Sequence, residues 1–104
     1  MNSRWPILVV DDEEVVTESV AAWLREDGYT VDTASSGAEA LAMARARDYA
    51  IFFIDLKMPG EYDGLDTLRE VRRLQPEASI VVITAYATVE TAVAAMKDGA
   101  QEYL

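Results

Sequence analysis

Three aspartates and a threonine hold the positions from which chemistry is easiest to imagine. Asp11 and Asp12 directly follow the apolar run Ile7-Leu8-Val9-Val10, Asp55 follows Ile51-Phe52-Phe53-Ile54, and Thr84 follows Ile80-Val81-Val82-Ile83. If the three runs lie side by side in one sheet, three carboxylates and one hydroxyl converge on one rim. Carboxylates brought together repel, and each raises the pKa of the others unless a cation neutralises them. A hard divalent ion with oxygen ligands resolves the conflict, and Mg²⁺ does so with one or two carboxylates while keeping several waters. Such an ion would attract a phosphate-bearing donor and leave room for in-line attack by a carboxylate oxygen, giving an aspartyl phosphate. The Thr84 hydroxyl would then hydrogen-bond a phosphoryl oxygen.

Each residue alone has a plainer explanation. Acidic residues after a strand commonly cap the following helix, which would account for Asp11, Asp12, Glu13 and Glu14. Asp55, ahead of Leu56-Lys57-Met58-Pro59-Gly60, reads as an ordinary loop residue, and Thr84 as a strand-end hydroxyl satisfying the backbone. Capping does not explain why all of them fall at successive strand ends.

The elements needed to position these residues are legible as alternation. The three apolar runs are continuous and rich in β-branched residues, as strands buried on both faces of a parallel sheet are. Tyr29 to Thr33 alternates and suits an edge strand. Helical stripes lie between the runs. Val16, Val20, Trp23 and Leu24 form the first, ended by Gly28. Ser36 and Glu39 make a capping-box pattern before Ala40, Leu41 and Ala44. Leu65, Leu68 and Val71 form a third stripe with Pro76 beyond it, and Val89, Ala92, Val93 and Met96 form a fourth between Thr88 and Gly99. A fifth strand is expected to start at Glu102-Tyr103-Leu104. The order β-α-β-α-β-α-β-α-(β) predicts an α/β fold, a doubly wound parallel sheet with helices on both faces. Ligands of such sheets bind beyond the carboxyl ends of the strands.

Composition narrows the function. The 104 residues suit one domain, taken as 1–104, and carry 19 acidic against 9 basic side chains, a net charge of −10. That charge would be repelled by a phosphate backbone, so direct binding of nucleic acid by this segment is not expected. With no cysteine and no histidine, disulfides, thiolate metal sites and Ser-His or Cys-His catalysis are excluded. No apolar run approaches a membrane span and Met1 to Pro6 lacks a signal-peptide core, so a cytoplasmic location is expected.

The segments Ile-Leu-Val-Val-Asp-Asp-Glu (7–13), Asp-Leu-Lys-Met-Pro-Gly (55–60), Asp-Gly-Leu (63–65), Ile-Thr-Ala-Tyr (83–86) and Met-Lys-Asp-Gly-Ala (96–100) resemble, in order and spacing, the motifs of response regulator receiver domains of two-component signalling. The stretch 83–93 is most similar to receivers of the nitrogen-regulatory type. The resemblance implies a flavodoxin-like strand order 2-1-3-4-(5), with most of strand five and helix five not included in these residues. It implies Asp55 as phosphoacceptor and Mg²⁺ held by Asp12 directly, Asp11 through water, Asp55, and the backbone carbonyl of Lys57. Thr84 would be the switch hydroxyl, with the small Ala85 beside it, and Tyr103 the aromatic switch. Tyr103 also reads simply as a surface aromatic at a chain end. The implied partners are a sensor histidine kinase and an output domain beyond the C-terminus, often an ATPase followed by a DNA-binding helix-turn-helix, so that phosphorylation switches the surface around helix four to control transcription. Such a domain is a phosphoacceptor rather than a turnover enzyme, although family members catalyse their own phosphorylation and dephosphorylation.

Two departures accompany the resemblance. Gly60-Glu61-Tyr62-Asp63-Gly64 is one residue longer than the usual loop, which is expected to alter donor access or dephosphorylation. The family's lysine is expected two residues beyond Leu104, and neither Lys57 nor Lys97 occupies that position. Phosphotransfer by these 104 residues alone is therefore expected to be impaired, and Ile80 to Ile83 is expected to form a sheet edge that invites oligomers or domain swapping. Two other readings stay open: a phosphatase or phosphotransferase with an aspartyl nucleophile, although Lys57 stands where a second acid would be, and an interaction module that never handles phosphate.

Overall fold

The computed structural model of the chain describes residues 6–55, 64–83, 97 and 102–103. Ile7–Val10 forms a first strand, β1, in which all four residues are buried. A strand that turns apolar side chains to both sides can only be central, and β1 has a parallel neighbour on each side: β2 (Val31–Ala34) and β3 (Ile51–Asp55). β3 pairs in turn with β4 (Ser79–Ile83), and β4 with the two residues of β5 (Glu102–Tyr103), again in parallel. The order is β2-β1-β3-β4-β5, the expected doubly wound arrangement; the segment Tyr29 to Thr33, expected as an edge strand from its alternation, overlaps the observed edge strand Val31–Ala34.

Pleating sends successive side chains of β1 into two different cores. Leu8 and Val10 join Phe52, Ile54, Ile80 and Val82 against residues of α2 (Gly37–Ala46) and α3 (Gly64–Leu74). Ile7 and Val9 join Val31, with Ile51 and Phe53 packed alongside, against Ala21, Val20 and Leu24 of α1 (Glu14–Glu26). Helices thus cover both faces of the sheet.

The helices follow their sequence signals with two differences. In α1 the face turned to the core carries Thr17, Val20, Ala21 and Leu24, whereas Trp23, expected on that stripe, is 68% exposed. At about 100° per residue Trp23 lies roughly 120° around the helix from Thr17. The inward line runs instead through the small residues Thr17 and Ala21, which let the helix approach the sheet closely. Gly28, at φ 94°, ends the segment in the left-handed region that glycine enters without steric cost. In α2 the Ser36 hydroxyl accepts from the Glu39 amide at 3.1 Å, as a capping box requires. The reciprocal arm differs: Glu39 Oε1 accepts from the Ser35 amide at 2.6 Å and the Ser35 hydroxyl at 3.1 Å, one residue earlier than the standard box. The stripe at Val89, Ala92, Val93 and Met96 lies outside the described residues.

Two polar clusters tie the helices to the sheet at the end away from the aspartates. Gln75, buried just after α3, accepts from the Tyr49 amide and donates to the carbonyls of Ala44 and Arg47, each at 2.8 Å. The Tyr49 hydroxyl donates to Asp32 at 2.7 Å; burial, then this hydrogen bond and the Asp32 charge, push its pKa up to about 12.

The expectation that β4 becomes a bare edge needs correction. Glu102 pairs with Val81 and Tyr103 with Val82, so two residues of β5 already cover the middle of that strand and the stated ground for swapping is weakened. No helix among the described residues is long and apolar enough to cross a membrane.

Candidate metal and phosphoacceptor site

The register of β1 against β3 builds the site. Val10 lies opposite Ile54, so the next residues, Asp11 and Asp55, stand side by side at the carboxyl ends of neighbouring strands. Alternation puts both on the face that α1 covers, the face of Val9 and Phe53. The Asp11 amide donates to Ala34 O of β2 at 3.1 Å, extending the ladder one residue beyond β1. Asp55 is paired with Ile83 of β4. Each carboxylate is therefore attached to backbone tied to a neighbouring strand, and both are buried, at 6% and 8% exposure. Asp12, one residue further along, is exposed and completes the group. Each of Asp11, Asp12 and Asp55 offers a carboxylate oxygen, and these atoms all lie within 4.8 Å of one another.

The electrostatics follow from that crowding. The Asp11 pKa is pushed up from 3.8 to about 6. Burial is the largest cause; the Glu13 amide, donating to Asp11 Oδ1 at 3.0 Å, opposes it. The charge of Asp55 and hydrogen bonds shared with Asp55 and Asp12 raise it further. A raised proton affinity of this kind is what crowded, buried carboxylates show without a cation. The donor set is all oxygen, carries up to three negative charges and opens to solvent on the Asp12 side, which fits a hard divalent ion rather than a soft metal.

The capping explanation accounts for little of this. Glu13 is the residue that precedes α1, and its side chain makes no capping bond. Asp11 bonds the Glu13 amide, which lies outside the helix, and Asp55 lies within a strand. Of the other expected site residues, Lys57 and Thr84 lie outside the described residues. Tyr103 is placed by its backbone alone, in β5 opposite Val82.

Several residues bordering the rim were not expected there from the sequence. Ser35 and Glu39 join Asp12, Glu14, Glu18 and Thr33 around a cavity of about 300 Å³ next to the aspartates. The signal that could have found them is topological: the edge strand β2 runs parallel beside β1, so whatever follows it reaches the same rim.

A family profile described as the response regulator receiver domain matches residues 7–104 of the chain. The transcriptional regulatory protein ZraR of Escherichia coli O157:H7 is 44% identical over 98 residues, 94% of this chain and 22% of that protein. The alginate biosynthesis transcriptional regulatory protein AlgB of Pseudomonas aeruginosa is 41% identical over the same share of each. The chain thus spans about a fifth of the length of these curated relatives. Among solved structures, a response regulator protein from Burkholderia pseudomallei, with a phosphorylated aspartic acid, calcium ion and citrate, superposes with a TM-score of 0.92 at 40% identity, covering 96% of this chain and 58% of that one. NtrX from Brucella abortus superposes with a TM-score of 0.88 at 36% identity, covering 95% of this chain and 23% of that one. These relatives accord with the resemblance to the nitrogen-regulatory type. The sheet order, the aspartate cluster at its carboxyl rim and the match over nearly the whole chain together lead to one conclusion: the chain belongs to the response regulator receiver domain family.

Proposed function

We propose that this chain is the phosphoacceptor of a two-component pathway, with Asp55 as the residue that takes the phosphoryl group. The observation that carries the reading is the buried pair Asp11 and Asp55, aligned by strand register and joined by exposed Asp12. When bound, Mg²⁺ would supply charge neutralisation and a template for the phosphoryl oxygens. Asp12 would ligate it directly, Asp11 through water, and Asp55 and the Lys57 carbonyl would complete the protein's share. An Asp55 carboxylate oxygen attacks the phosphorus of a phosphohistidine on a sensor kinase. The P–N bond breaks, its electron pair stays on the imidazole nitrogen, which takes up a proton from solvent, and the acyl phosphate stays on Asp55. Burial of Asp55 within β3 holds the attacking oxygen in one place, so orientation is set before the donor arrives. Thr84 would then hydrogen-bond a phosphoryl oxygen and Tyr103 follow it, biasing a pre-existing equilibrium of the surface around helix four. Transcriptional regulators among the relatives support an output in transcription, carried by domains outside these residues in the cytoplasm.

The test is a Mg²⁺ titration with and without beryllofluoride, a mimic of the aspartyl phosphate, beside an Asp55→Asn control. Amide spectra are the right readout, because Trp23 faces solvent on the outer side of α1 and its fluorescence would report poorly on the rim. A saturable response at Glu13 and Asp55 that requires Asp55 supports the reading, and stoichiometric phosphoryl labelling at Asp55 would separate it from a phosphatase. Continuous turnover of a phosphomonoester, or no Mg²⁺-dependent response, would overturn it.

A further inference from the structure

Among the described residues, β2 closes one side of the sheet and has no strand beyond it. The amides of Ile7 and Asp11 donate to the carbonyls of Thr30 and Ala34, at 2.9 and 3.1 Å, so those carbonyls face β1. In a strand the backbone groups alternate in direction, and the N–H and C=O groups of Val31 and Thr33 therefore face outward. A row of outward groups of this kind is a template for pairing with another chain.

One of the outward acceptors is already taken. Arg25, in the last turn of α1, reaches back over the edge and donates from Nη2 to Val31 O at 2.7 Å. A basic residue near a helix C-terminus is also favoured by the helix dipole, but that interaction does not require a bond to a carbonyl on a neighbouring strand. The guanidinium both occupies the acceptor and places a charge where an incoming strand would have to lie. Asp32, on the same strand, turns the other way and is held by Arg47 at 3.0 Å and the Tyr49 hydroxyl at 2.7 Å.

We propose that Arg25 guards the β2 edge against strand addition, the excluded partner being β2 of a second copy of this chain paired about a two-fold axis.

Electrostatics and edge-guarding predict opposite signs, which makes the test sharp. Arg25→Ala and Arg45→Ala each move the net charge from −10 to −11, and Arg45, in the last turn of α2 and exposed, is the charge-matched control. General repulsion alone would make both variants associate less than the wild type. Edge-guarding predicts that Arg25→Ala associates more tightly by about tenfold in dimer dissociation constant, read by sedimentation velocity over a concentration series, while Arg45→Ala does not. Arg25→Met, which keeps the aliphatic stem and good helix propensity, should behave as Arg25→Ala does, and circular dichroism on each variant checks the fold. Hydrogen exchange at the Thr33 amide should slow with concentration only in the Arg25 variants. Arg25→Met sedimenting like Arg45→Ala, or associating without slower exchange at Thr33, would overturn the proposal.

Discussion

Replacing Asp11 by asparagine should stabilise the metal-free protein at neutral pH. Asparagine is nearly isosteric and keeps the oxygen that accepts from the Glu13 amide at 3.0 Å, so the substitution removes a charge and little else. In the unfolded chain Asp11 gives up its proton near 3.8; in the folded protein it holds it to about 6. Between those values the folded state binds more protons, so the stability contributed by Asp11 is full below 3.8 and is lost as pH rises to about 6. Above that the ionised group costs the whole difference, about 3 kcal/mol at 1.36 kcal/mol per unit. Asp12 is exposed and water reaches the cluster, so a realised gain of about 1–3 kcal/mol is expected. The assay is urea denaturation followed by circular dichroism, for both proteins, from pH 4 to pH 8 without divalent ions. The two stabilities should converge near pH 4 and separate through pH 6. Excess Mg²⁺ should then narrow the gap, because a ligand at a hundred times its dissociation constant stabilises by about 2.7 kcal/mol and the wild type binds it better. An asparagine variant that is no more stable at pH 7.5, or a difference that ignores pH, would refute the account of Asp11 as a charge held against its own preference.

Three further outcomes follow from the packing and the site. Asp12→Asn should lose most divalent-cation affinity by titration calorimetry yet leave stability within about 0.5 kcal/mol, since Asp12 is exposed. Gln75→Ala would strand the Tyr49 amide and the carbonyls of Ala44 and Arg47. Its expected cost in denaturant unfolding is about 2–4 kcal/mol, with no change in cation affinity at the far rim. Leu68→Ala, in the middle of the larger core and fully buried, should cost about 2–5 kcal/mol by the same measurement, whereas Trp23→Ala should cost little because the ring is mostly in water.

The chain's periodicities determined its strands and most of its helices. Ile7 to Val10 and Ile51 to Ile54 could be read as central strands because residues buried on both faces leave no polar alternation, and Tyr29 to Thr33 as an edge because it alternates. Sequence also selected the three aspartates, since only residues at the ends of successive strands can share a rim. It misplaced Trp23, because an apolar residue one stripe away from the core looks the same in a linear pattern, and only the close approach of α1 through Thr17 and Ala21 decided the facing side. It gave no sign of Ser35 and Glu39 at the rim or of Gln75 as a buried clasp, because a polar residue acquires such a role only when another segment arrives beside it. The proton affinity of Asp11 belongs to the same class. Sequence supplies the carboxylates, but how far burial and Asp55 hold that proton depends on a register between two strands more than forty positions apart. Likewise the reach of Arg25 to Val31 O exists only once β2 has taken the outer place in the sheet, which local sequence preferences cannot fix.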